Sequence, residues 1–113
     1  MPQTDVTRAM RFVGLAARAR ALVIGVPLIC TALSKGAAGK APRLVLCAED
    51  PSPNTKKRIT DRTAFYGVPC RSLPLTCAQL AHAIGKKEAL VAAVGVTDQS
   101  LAAAILAALD DNN

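Results

Sequence analysis

Glu49 and Asp50 stand where chemistry would be sought first. They follow the apolar run Leu44-Val45-Leu46-Cys47-Ala48, and open α/β sheets gather their active sites at the carboxyl ends of strands. Two adjacent carboxylates could serve as acid and base. No second catalytic group can be placed beside them, so the pair reads as a turn whose charge favours a helix N-terminus. Cys30, Cys47, Cys70 and Cys77 have no paired-ligand spacing, so no zinc site is expected. Two of them lie in apolar runs, like small core residues, and all four read as reduced thiols. His82 is the only histidine; in an alanine-rich helix it reads as a core-edge residue rather than a base for a thiol. Gly85-Lys86-Lys87 approaches the end of a phosphate-binding loop, but Leu80 and Lys87 stand where that motif needs glycine and a hydroxyl. No G-x-G-x-x-G follows a strand. Neither cofactor nor metal is expected, and an enzyme using Glu49 or Asp50 is the least favoured class of function.

The charges point to a polyanion instead. The net charge is +6, but all 14 Lys and Arg lie at or before Lys87, and residues 88–113 hold four acids and no base. The first 87 residues therefore hold 14 bases against 4 acids, a balance of +10. Arg18, Arg20, Lys35, Lys40 and Arg43 flank the first two strands, and Lys86 and Lys87 are expected at the same edge of the sheet. Such cations bind backbone phosphate without reading sequence. Lys56, Lys57 and Arg58 fall on a helix, either as part of that field or as its solvated face.

These residues need elements to hold them. Val6, Met10, Val13 and Ala17 repeat with helical spacing, so a helix is expected over Thr4–Ala19. Leu22–Ile24 is a short strand broken by Gly25. Pro27 can open a helix running through Leu33 and closed by Gly36. After a loop over 37–42, Leu44–Ala48 reads as a buried parallel strand, because neither face is polar. Ser52 supplies an N-cap and Pro53 suits the first turn of a helix to Tyr66, ended by Gly67. Val68–Leu73 holds a strand delayed by Pro69. Thr76 and Gln79 form a capping box for a helix over Cys77–Ile84, ended by Gly85. Leu90–Val96 is an apolar, central strand. Asp98 caps a last helix with Leu101, Ile105 and Leu109 buried, and residues 110–113 should fray.

That alternation predicts an α/β fold: a three-layer α/β/α sandwich around a mixed four-stranded sheet. At 113 residues the chain suits one domain, residues 1–113. No apolar run reaches transmembrane length, and Met1–Asp5 lack a signal-peptide pattern, so a cytoplasmic protein with no membrane partner is expected.

Several segments together carry a resemblance: Val13-Gly14-Leu15-Ala16 with Leu22-Val23-Ile24-Gly25; Leu44 to Asp50; Asn54-Thr55-Lys56-Lys57-Arg58-Ile59 with Tyr66-Gly67-Val68-Pro69; and Leu80-Ala81-His82-Ala83-Ile84-Gly85-Lys86. From about Thr7 to Leu109 the chain resembles the ribosomal protein family of the archaeal large-subunit proteins seven-Ae and thirty-e, in particular its small bacterial YlxQ-type members. The resemblance implies the α/β/α fold and non-catalytic binding of structured RNA, ribosomal RNA included. RNA-binding members read Gly-x-Asn-Glu-x-x-Lys after the first strand. Here Gly25 matches, Val26 follows, and the Asn, Glu and Lys positions hold Pro27, Leu28 and Thr31. Pro27 and Leu28 offer no polar group to a guanine edge, so kink-turn specificity is expected to be weakened. The second contact region, Gly85-Lys86-Lys87-Glu88-Ala89, keeps its glycine and its positive charge. The implied RNA-binding set is Gly25, Val26, Pro27, Leu28, Thr31, Lys35, Gly85, Lys86 and Lys87.

A rival reading keeps the fold without the RNA site and makes Pro27, Leu28 and Ile29 an apolar patch for a protein partner. Phe12, Phe65 and Tyr66 all fall in expected helices, so core packing rather than base stacking is anticipated for them.

Overall fold

The computed structural model describes residues 6–35, 41–86 and 89–110. The elements run α1 (Val6–Arg18), β1 (Leu22–Ile24), α2 (Val26–Lys35), β2 (Leu44–Cys47), α3 (Pro53–Phe65), β3 (Cys70–Ser72), α4 (Cys77–Ala83), β4 (Ala93–Val96) and α5 (Gln99–Leu109). The four strands form one sheet in the order β1-β4-β2-β3. β4 is antiparallel to both β1 and β2, and β2 is parallel to β3. The sheet is therefore mixed and β4 central, as its two apolar faces require. β2 has a parallel neighbour on one side only.

The pleat divides the core. Leu44, Leu46, Val94 and Val96 join the layer of α1, α4 and α5, whereas Val45, Cys47 and Ala93 face α2 and α3. Both central strands are buried along their whole length, as expected for strands covered on two sides. α1 packs on α5. The fully buried residues of α1 are Ala9, Val13 and Ala16, with Val6, Met10 and Ala17 only partly covered. The stripe is thus rotated from the expected one. Likewise α5 buries Ala102 and Ala108 beside Ile105 and Leu109, and Leu101 is only partly covered.

Local signals act where the residues that make them lie. Ser52 accepts the Thr55 amide at 3.2 Å, and Pro53 opens α3. Thr76 and Gln79 close a reciprocal capping box at the start of α4, and Asp98 Oδ1 accepts the Leu101 amide at 2.9 Å. Two strands are shorter than expected. Leu90 is 78% exposed and the Val91 amide turns to Cys77 O at 3.2 Å, so this stretch feeds β4 without joining it. Residues 68 and 69 precede β3, although Pro69 O still accepts the Val45 amide at 2.9 Å. Asp110, expected to fray, is instead gripped by Arg71, whose Nε and Nη2 donate to its carboxylate at 3.0 and 2.9 Å. Gly36, Lys40, Lys87, Glu88 and residues 111–113 lie outside the described residues.

The aromatic expectation needs correcting. Phe12 packs at the edge of the core, but Phe65 is 79% exposed and Tyr66 36%. On α3 the buried positions are Ile59 and Thr63. Phe65 falls out of phase with them, so helical spacing turns its ring outward.

Candidate nucleic-acid interface

Antiparallel pairing sets which loops meet. With β4 reversed, the carboxyl ends of β1, β2 and β3 share one end of the sheet with the start of β4. Gly25 leaves β1 at that end with φ 95, a conformation that disfavours residues carrying a Cβ. Its amide donates to Ala93 O at 3.0 Å and its carbonyl accepts the Ile29 amide at 3.0 Å. The first bond ties the turn to the start of β4; the second starts α2.

The buried stripe of α2, Val26, Ile29, Cys30 and Leu33, faces the core. Val26 can therefore offer a ligand only its backbone. Ile29 is 1% exposed, so the expected apolar patch shrinks to Pro27 and Leu28. Pro27, Leu28, Thr31 and Lys35 are exposed, Leu28 to 61%. Thr31 Oγ1 donates to Pro27 O at 3.0 Å and Ser34 Oγ to Thr31 O at 2.9 Å. The hydroxyls thus turn onto their own helix and leave an apolar tip. Lys35 ends the helix, roughly 14 Å from Val26 at about 1.5 Å per residue.

The other side of the interface is built by the end of α4. Gly85 has φ 86; its amide donates to His82 O at 3.1 Å, and the Lys86 amide to Ala81 O at 2.8 Å. This paired closure fixes where Lys86 emerges. Lys86, Gly85 and Arg20 line a cleft of about 380 Å³ beside Leu22 and Ile24 of the edge strand. Arg20 has φ 58, a left-handed conformation that costs a non-glycine residue about 1 kcal/mol. The sequence places Arg20 among the flanking cations, but that it shares a cleft with Lys86 depends on the fold.

The other expected cations separate. The Arg43 amide donates to Val96 O at 2.6 Å, which places Arg43 at the opposite end of the sheet from Gly25. Lys56 Nζ donates to Glu49 O, and Lys57 pairs with Asp61 at 2.7 Å. Arg58, the last of that basic triplet, is exposed on α3.

Asp50 is a capping group. Its Oδ1 accepts the Cys77 amide at the first residue of α4, at 2.7 Å. Hydrogen bonds from the Cys77 side chain and amide hold its carboxyl below the usual carboxylate range. Burial, and then the Asp50 carboxylate, push the Cys77 thiol up to about 11, the reverse of what a nucleophilic thiol needs. All four cysteines are free. His82 is exposed on α4, not at the core edge. Among the described residues no group of three or more His, Cys, Asp or Glu could hold a metal ion.

One solved structure, a Giardia lamblia 15.5kD RNA binding protein, superposes with a TM-score of 0.76 over 97% of this chain and 88% of its own, at 14% identity, and so shares the fold. A protein of unknown function from Bacillus halodurans C superposes with a TM-score of 0.81 at 29% identity, over 92% of this chain and 98% of that one. No protein-family model matches the chain. Two curated relatives are both named RNA-binding protein YlxQ. That of Bacillus subtilis (strain 168) is 39% identical over 97 residues, 86% of this chain and 90% of the relative. That of Enterococcus faecium is 34% identical over 102 residues, 90% of this chain and 91% of the relative. The class is therefore the sandwich fold of the seven-Ae and thirty-e ribosomal proteins. Within it, the chain belongs to the YlxQ family.

Proposed function

We propose that this protein binds structured RNA, ribosomal RNA included, and catalyses nothing. The single observation behind this reading is the convergence of Arg20, Gly85 and Lys86 on one cleft, which runs along β1 as far as Ile24, the residue before Gly25. Two cations lining one cleft suit phosphate oxygens, which position a protein on RNA without specifying sequence. Gly25, the Val26 amide, Pro27, Leu28, Thr31 and Lys35 form the second side of the interface, with Lys87 next to Lys86 in the chain. The relatives' names support RNA as the ligand, and the family's polar readers are replaced here by Pro27, Leu28 and Thr31. The expected mode is phosphate contact with weak kink-turn preference. No helix among the described residues is long and apolar enough to cross a membrane, consistent with work in the cytoplasm.

The test is Lys86→Glu combined with Lys87→Glu, assayed for binding to a structured ribosomal RNA fragment. Binding should weaken by about tenfold or more, since reversal removes attraction and adds repulsion, with the melting transition unchanged. Unaltered binding would assign the interface elsewhere.

A second reading has one observation in its favour: Leu28, 61% exposed at the tip of α2, beside Pro27. There the partner is a protein. A pull-down from lysate with and without nuclease separates the two, because only RNA-mediated capture disappears on nuclease treatment.

A further inference from the structure

At the end of the sheet remote from Gly25, a groove of about 520 Å³ opens between the end of α3, the lead into β3 and α5. We propose that this groove takes an unpaired nucleotide of the bound RNA, making a second contact distinct from the Arg20–Lys86 cleft. The proposal rests on the RNA-binding reading and adds to it a ligand class and a site.

Its volume falls in the range of about 300–1,000 Å³ typical of small-ligand clefts. Leu33, Val68 and Leu106 give it an apolar floor, and Arg43, Gln99 and the Tyr66 ring supply its polar and aromatic groups. Among the described residues no Asp or Glu lines it; the nearby Asp98 carboxylate is occupied in capping α5. The Phe65 ring is not part of the lining but stands against Tyr66, which is, edge-on with centroids 4.9 Å apart and planes at 84°. Phe65 is 79% exposed, so most of its ring is open to a stacking base.

Along α3, Arg58, Arg62 and Phe65 are all exposed and follow at spacings of four and three, hence on one face. Neighbouring Asp61 is taken by Lys57. Cations that lead to exposed rings are the recurring design of single-strand binding: the backbone tracks the charge, and bases stack on the aromatics regardless of sequence. Arg43 within the groove suits the phosphate, and the Gln99 amide can meet a base edge. This charge complementarity, with no acid in the lining, favours a nucleic acid over a peptide.

The chain offers its own probe, because Tyr66 is its one tyrosine and it has no tryptophan. Tyrosine emission is followed while the full chain is titrated with a short single-stranded oligoribonucleotide, and structured-RNA binding is measured on the same samples by filter retention. The oligonucleotide should quench Tyr66. Phe65→Ala should weaken that binding by about five- to a hundredfold, the effect of losing one base stack. Arg43→Glu should weaken it by about tenfold or more. Retention of structured RNA with no quench by either RNA would overturn the second site and leave the first standing. A quench without structured-RNA binding would support the groove and sink the Arg20–Lys86 interface. A quench that Phe65→Ala and Arg43→Glu leave intact would place the base elsewhere and overturn the proposal.

Discussion

Arg20 and Lys86, one just past α1 and the other just past α4, line the same cleft beside the edge strand β1. Arg20 holds a backbone conformation, φ 58, that glycine would adopt at no steric cost. It sits at the left-handed position of the helix closure, where the Ala21 amide reaches Ala16 O at 2.8 Å and glycine is the usual residue. A strained residue in a candidate interface suggests that its side chain is retained for function.

Arg20→Gly should accordingly separate stability from binding. Relief of the left-handed strain, offset by the looser unfolded chain of a glycine, should leave a gain of about 0.5–1 kcal/mol. Affinity for structured RNA should fall several-fold. Urea melts and RNA titrations on the same variant check both. Greater stability with unchanged affinity would remove Arg20 from the interface.

Arg71 and Asp110 should give a pH-dependent contribution at the far end of α5. The carboxylate sits at the helix C-terminus, where negative charge opposes the macrodipole. The hydrogen bonds from Arg71 hold it below the usual carboxylate range. A depressed folded-state value stabilises the fold at neutral pH, and the contribution is lost as pH falls through that value. Both side chains are 42% exposed, so solvent screening limits the pair to about 0.5 kcal/mol. Arg71→Ala should cost about that much at neutral pH, and more than Asp110→Asn, because it leaves the charge against the dipole. The gap between wild type and Arg71→Ala in urea melts should narrow in acid and in high salt. A gap constant with pH would show that the pair contributes nothing.

Pro27, Leu28 and Thr31 should decide kink-turn preference. In competition assays at fixed salt, the wild type should prefer a kink-turn to a duplex of equal length by less than about a hundredfold, or 2.7 kcal/mol. The triple replacement Pro27→Asn, Leu28→Glu and Thr31→Lys should raise the preference, with each good base contact worth on the order of 1–3 kcal/mol. All three positions are exposed, so the fold should tolerate the change. A strong wild-type preference would mean that backbone groups near Gly25 or Gly85 read the motif.

What was legible in the sequence follows a physical division. Local chemistry was readable: Ser52, Thr76 with Gln79 and Asp98 cap the helices they announce, and Gly85 ends α4. So was the apolar character of β2 and β4, which fixes them at the sheet centre. Nonlocal geometry was not. That Arg20 and Lys86 line one cleft along β1, while Arg43 lies before β2 on the far side of the central strand, depends on strand order. The hold of Arg71 on Asp110 joins residues that no periodicity links. Phe65 is different: its phase relative to Ile59 points outward, whereas its residue type argues for burial.

The most direct test of RNA binding through phosphate contacts is the affinity for a structured ribosomal RNA fragment as a function of salt. If about five phosphates are neutralised, affinity should drop by about a hundredfold or more between roughly 50 and 200 mM monovalent salt, and Lys86→Glu should flatten the slope. Failure of the wild-type chain to bind RNA even at the lowest salt would contradict the account.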